Sequence, residues 1–193
     1  MKSIVVFCGS SEGNHSVYKA SAIKLGYELA ERNITLVYGG ANVGLMGAVA
    51  DAVLERGGKV IGVLPYFLQN REIAHNGLTE LVMVDSMHER KAKMADIADG
   101  FIALPGGPGT LEEYFEIFTW GQLGLHRKPC GLLNINGYFD PLLSMFSHME
   151  CEGFMQPRYR AMVISDTSPE GMLQQFSNYS APSVKSYLNE QRT

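Results

Sequence analysis

Seven short apolar runs punctuate the chain, and longer stretches with helical spacing separate them. The runs are Ile4 to Cys8, Ile34 to Tyr38, Lys59 to Leu64, Leu81 to Val84, Phe101 to Leu104, Cys130 to Leu133 and Met162 to Ile164. Their apolarity is nearly continuous rather than alternating, which predicts strands covered on both faces, as in a parallel sheet. Helices are predicted over Val17–Arg32, Gly44–Arg56, Ser86–Ala98, Thr110–Leu123 and Tyr138–Glu152, with Gly57-Gly58 as a stop signal behind Arg56. Alternation of this kind predicts an α/β fold with a doubly wound, mainly parallel sheet and helices on both faces. Its ligands belong at the carboxyl ends of the strands. Pro65 to Thr79 reads as a long irregular connection, suited to a lid or contact surface. One Rossmann-like domain is expected over residues 1–176, followed by a polar tail, 177–193, in which Val184 to Leu188 is able to dock.

The strongest chemical signal lies where the fifth run ends. Leu104-Pro105-Gly106-Gly107-Pro108-Gly109-Thr110-Leu111-Glu112-Glu113 takes a strand through a glycine-rich turn into a helix expected to open at Thr110. Glycines let backbone N–H groups approach a ligand closely, and a helix N-terminus adds partial positive charge, so the loop suits a phosphate. Thr110-Leu111-Glu112-Glu113 also fits a capping box, with Thr110 as the cap and Glu113 bonding back to it. A cap alone does not call for three glycines in its lead-in, and two carboxylates one turn from a phosphate site are placed for acid–base work.

Two further loops fall at strand ends. Gly9 and Ser10 follow the first run and are placed to touch a sugar or phosphate, although a Gly-Ser turn is also common as mere structure. Tyr38 to Gly47 follows the second, and its glycines permit close approach either to a ligand or to a neighbouring loop. Neither glycine loop matches the dinucleotide fingerprint, and no Gly-Lys-Ser/Thr of a Walker loop occurs. The helix from Ser86 is anomalous. Met87, Arg90, Lys91, Met94 and Ala98 share one face, so two cations sit in the middle of an apolar stripe. Snorkelling of their heads to water is one explanation; inward cations facing an anion is the other.

Composition narrows the partners. The 193 residues carry a net charge of −4 without a basic cluster, which argues against nucleic acid. Three scattered cysteines form neither a disulfide framework nor a zinc knuckle, and the histidines show no metal spacing. The first apolar run is too short for a signal peptide and no run approaches a membrane span, so a reduced, cytoplasmic protein without metal is expected.

Met87-His88-Glu89-Arg90-Lys91 and Pro105 to Glu113 together resemble the hallmarks of the "lonely guy" (LOG) family, the cytokinin riboside 5′-monophosphate phosphoribohydrolases. Tyr38 to Gly47, Ile117-Phe118-Thr119-Trp120 and Lys128 to Asn134 are similar to that family too, and the likeness spans roughly residues 2–175. Ala41, where the family usually has glycine, and Pro108 depart from its pattern. The resemblance implies hydrolysis of the N-glycosidic bond of an adenosine-type 5′-monophosphate (a cytokinin riboside monophosphate or AMP), giving free base and ribose 5-phosphate. It implies Glu113 and Arg90 as catalytic residues. Substrate binding falls to Met87, Arg90, Lys91, Gly106, Gly107, Pro108, Gly109, Thr110, Leu111, Glu112 and Thr119, with Gly9, Ser10 and Gly40. It further implies a homodimer and no cofactor. The alternative is a nucleotide-binding or carrier protein of the same fold without turnover. Many LOG relatives carry the label "lysine decarboxylase-like", yet no Ser-x-His-Lys context for a Schiff-base lysine is present.

Overall fold

A computed structural model describes residues 1–68 and 74–183. Among the described residues seven strands form one sheet: β1 (Ser3–Phe7), β2 (Thr35–Tyr38), β3 (Val60–Pro65), β4 (Glu80–Val84), β5 (Gly100–Ala103), β6 (Cys130–Leu133) and β7 (Val163–Asp166). Every pairing is parallel, in the order β4-β3-β2-β1-β5-β6-β7. The α/β expectation is met, and all seven apolar runs became strands. Burial explains why they lacked alternation. All of β1, β5 and β6 is buried, whereas the edge strand β4 is exposed at Glu80 and Leu81.

Successive residues of β1 serve opposite cores. Ile4 and Val6 join Leu25 and Leu29 of α1 (Ser16–Glu31), Val49 and Val53 of α2 (Gly44–Glu55), and Met172 and Phe176 of α7 (Pro169–Ser177). Val5 and Phe7 join Met94 of α3 (Met87–Ile97), Tyr114 and Phe118 of α4 (Pro108–Gln122), and Phe146 of α5 (Asp140–Cys151). The period of two along a strand builds both layers from one segment. A short α6 (Pro157–Arg160) precedes β7.

Several local expectations need correction. The capping box at Thr110 does not form. Gly107 is the N-cap of α4 and Pro108 its first residue, so Thr110 already lies inside the helix. Pro108 is well suited there, because a first-turn N–H has no helical partner to lose. Residues 138 and 139 precede α5 rather than opening it, following a 3-10 turn at Ile135–Gly137. Neither α6 nor α7 was foreseen. The signal for α7 was legible: Ser168 accepts the Gly171 N–H at 3.1 Å as N-cap, with Pro169 behind it. Residues 69–73 of the β3–β4 connection and the segment Val184 to Leu188 of the tail lie outside the described residues.

The strand order reverses between β1 and β5. Helices α1 and α2 cover one face and α3 and α4 the other, so the loops leaving β1 and β5 lie at the switch point above the sheet, where ligands of such folds bind.

Candidate active site

The loops after β1 and β5 press together at this switch point. The Gly9 N–H donates to the Pro105 carbonyl at 3.1 Å, and the Gly9 carbonyl accepts the Leu45 N–H at 3.1 Å. A cleft of about 360 Å³ opens beside this contact. Its floor comes from Cys8, Gly9 and Ser10. One wall is Met87 and Arg90 of α3, and the other is the α4 N-terminus from Gly107 to Thr110 with Glu112 and Glu113. The two sequence motifs, far apart in the chain, thus face each other.

Arg90 is only 6% exposed, which overturns snorkelling. Its Nη2 donates to the Gly39 carbonyl at 3.1 Å and its Nη1 lies 3.8 Å from the Met87 sulfur. Its buried Nε has no hydrogen-bond partner among the described residues. A guanidinium is always charged, and burying one with a donor unused is costly unless an anion completes it. Gly39 is required for this placement, because a Cβ there would run into Nη2.

Lys91 is equally buried, at 8%, but points elsewhere. Its Nζ lies 2.8 Å from Glu112 Oε1 and 2.8 Å from Glu116 Oε2, and it does not line the cleft. Burial works against its charge, yet the hydrogen bond to Glu112 and the Glu116 carboxylate beside it outweigh that and raise its pKa. At neutral pH this lysine is therefore an ammonium.

The α4 N-terminus offers a different kind of positive charge. Its N-cap residue, Gly107, makes no side-chain cap hydrogen bond. Ala substituted at Gly107 or Gly109 would meet no atom within 4 Å, so those two positions border open space. Free N–H groups and the helix dipole there favour an anion. Glu113 lies within electrostatic reach of the cleft floor. Burial first, and its negative charge second, push the Cys8 thiol well above the usual range. Cys8 is consequently a neutral part of the floor rather than a nucleophile.

Of the other expected residues, Gly106 borders an adjoining pocket of about 240 Å³ with Tyr18 and Tyr138. Its carbonyl accepts the Tyr138 hydroxyl, and a Cβ on it would meet Thr110 Oγ1. Leu111 packs against the core beneath α4. Thr119 is exposed on α4 outside the cleft, and Gly40 lies away from it, accepting the His75 N–H at 3.0 Å. Sequence reasoning missed Cys8 and Met46 as lining residues, although both adjoin glycines of the quoted loops. It also missed Glu116, one helical turn beyond Glu112.

A parallel sheet with an open helix N-terminus, a buried arginine and a carboxylate around one cleft at its switch point is an arrangement suited to a small anionic molecule. Residues 46–176 match the family model described as "Possible lysine decarboxylase". The "Cytokinin riboside 5′-monophosphate phosphoribohydrolase LOG1" of Arabidopsis thaliana is 51% identical over 178 residues, covering 92% of this chain and 84% of that one. The "Cytokinin riboside 5′-monophosphate phosphoribohydrolase" of Rhodococcoides fascians is 52% identical over 173 residues, covering 89% of this chain and 87% of that one. This chain belongs to that family, in its LOG branch. Solved structures share the fold: TM1055 superimposes with a TM-score of 0.71 at 23% identity over 93% of this chain and all of that one. The molybdenum cofactor binding protein of Rippkaea orientalis does so with 0.70 at 22%, covering 92% and 97%. The family description finds no support in the cleft, since a Schiff-base lysine must shed its proton and Lys91 is held as an ammonium away from it.

Proposed function

We propose that this chain hydrolyses the N-glycosidic bond of adenosine-type nucleoside 5′-monophosphates, releasing free base and ribose 5-phosphate. The observation that carries this reading is the convergence of Arg90, Glu113 and the uncapped α4 N-terminus on one cleft. About half of the sequence is shared with phosphoribohydrolases, which supports it. In this reading the amides near Gly107, Gly109 and Thr110 hold the phosphate, Gly9 and Ser10 border it, and Arg90 completes its charge. As the C1′–N bond breaks, its electron pair leaves with the base, which is protonated, and positive charge builds on the ribose. Glu113 stabilises that charge and takes a proton from the attacking water, whose oxygen joins C1′. Met87 flanks the sugar and base.

A carrier of the same fold is the second reading. A carboxylate beside a phosphate weakens binding in a protein that only holds its ligand, so Glu113 favours turnover. We further propose that the substrate range includes AMP as well as prenylated AMP, and that the protein is a cytoplasmic homodimer, as the family likeness implies. Light scattering that returns a monomer mass contradicts the dimer.

The deciding assay compares AMP, prenylated AMP and adenosine by chromatography of the free base, each with and without EDTA. Turnover of the monophosphates, slow turnover of adenosine and indifference to EDTA are expected. Equal rates on AMP and adenosine contradict the phosphate assignment, and EDTA loss restored by a divalent ion contradicts the metal-free mechanism. Glu113→Gln is expected to lower kcat about a hundredfold, a loss of ~3 kcal/mol of transition-state stabilisation, while AMP binding persists. Near wild-type kcat in that variant removes Glu113 from the mechanism.

A further inference from the structure

We infer that Lys91 is a positioning residue: with Glu112 and Glu116 it forms an ionic clamp that fixes the spacing between Arg90 and Glu113, rather than binding the substrate's phosphate itself. The inference rests on the proposed function for its catalytic readout. Residue order carries the argument first. Lys91 follows Arg90 on α3, and Glu112 precedes Glu113 on α4. Neighbours on a helix point about 100° apart, so Arg90 enters the cleft while Lys91 turns toward α4, where it meets Glu112 on the cleft wall. The clamp therefore ties together the two backbone positions adjoining the two reactive side chains.

The geometry is that of a bridge. One ammonium meets two carboxylates a helical turn apart, both at 2.8 Å, and Lys91 is buried while Glu112 stays half in solvent. The two helices also share an apolar core, with Met94 of α3 in the same cluster as Tyr114 and Phe118 of α4. Helix α3 lies mainly on β3 and its neighbouring strands, and α4 lies on β5, β1 and β6. Breaking a buried pair by removing one partner leaves the other charges uncompensated, so the clamp resists sliding of one helix past the other. A displacement of ~1 Å between catalytic groups costs up to roughly a hundredfold in rate, so a tie of this kind acts on chemistry before it acts on binding. Lys91 is also unsuited to reach a phosphate at Gly107 to Thr110. Doing so would mean leaving both carboxylates, whereas Arg90 already lines the cleft.

The test uses the full chain with Lys91→Met, Glu116→Gln and their combination. Glu116 does not line the cleft, so an effect of Glu116→Gln cannot come from a lost substrate contact. Lys91→Met is expected to lower kcat on AMP at least about tenfold with KM within about twofold. Glu116→Gln is expected to lower kcat severalfold, and the combination to be no worse than Lys91→Met alone. Lys91→Glu combined with Glu116→Lys should recover part of the lost rate. A tenfold rise in KM for AMP but not for adenosine, with kcat intact in Lys91→Met and full activity in Glu116→Gln, overturns the clamp and makes Lys91 a phosphate ligand. Unchanged kcat and KM in both single variants overturn it as well. Should Lys91→Met fail to fold, Glu116→Gln and the charge exchange decide. If the wild-type chain leaves every nucleotide intact, the proposed function fails instead. The clamp is then judged by thermal unfolding, where additive effects of Lys91→Met and Glu116→Gln overturn it.

Discussion

The two glycine-rich loops look alike in sequence and do opposite things in space. After β2, the glycines are hemmed in by protein. A Cβ on Gly39 would strike the Arg90 guanidinium, one on Gly44 the backbone of Ser10 and Ser11, and one on Gly47 the side chain of Asn42. After β5, Gly107 and Gly109 face open space, and only Gly106 is packed, against Thr110 and Gly9. A glycine that its own protein demands serves the architecture. A glycine that nothing in the protein demands, at an uncapped helix N-terminus, leaves room for something from outside. The β2 loop holds the cleft in shape; the β5 loop is where the ligand meets backbone.

Substitution can break this comparison, and the largest effect is expected at Gly44. Its φ of 56° is left-handed, and an added methyl also collides with backbone that cannot swing aside. Gly44→Ala should cost ~3 kcal/mol or more of stability, read as a lowered urea midpoint. An unchanged midpoint means the loops after β1 and β2 do not support each other. Gly39→Ala should act on rate more than on stability, because the obstructed group is the far end of a flexible side chain. A fall in kcat of about tenfold or more, with a small shift in melting temperature, is expected as Arg90 leaves the Gly39 carbonyl. Retained kcat shows that Arg90 works from more than one position.

The sharpest contrast is expected from the smallest change. Gly109 lies in the first turn of α4 without left-handed backbone. Gly109→Ala should leave stability level or raise it by ~0.5–1 kcal/mol through helix propensity and a less flexible unfolded chain. The same methyl should weaken AMP binding severalfold in calorimetry by entering the ligand's space. Weakened folding together with unchanged AMP affinity reverses the roles given to the two loops.

Strands were legible because burial on both faces leaves an unbroken apolar run, and Gly57, at φ 70°, stops α2 as its position predicted. The start of α4 was misplaced for a reason that belongs to capping. Thr110 looked like a cap by residue type, but a cap is defined by where the incoming chain bends, and that bend sits at Gly107. Sequence spacing placed Arg90 and Lys91 on one apolar stripe and so exposed the anomaly of two inward cations. It did not separate their fates, because periodicity gives the angle around a helix axis and not what lies across from it. Thr119 and Gly40 mark the same limit, since both sit within family-like segments yet lie outside this cleft.

The sequence by itself determined the parallel α/β sheet, both glycine loops at strand ends, and the anomaly of two cations on an apolar helix face. These follow from local physics: which residues bury, which backbone bends, and where a helix presents N–H groups. Only the tertiary structure decided which glycines face a ligand, which of two adjacent cations enters the cleft, and that Glu116 joins the group. Those outcomes depend on α3 lying over β3 and its neighbours while α4 lies over β5 and β6 on the same face. That placement follows the reversal of strand order between β1 and β5, a long-range arrangement that no local pattern encodes.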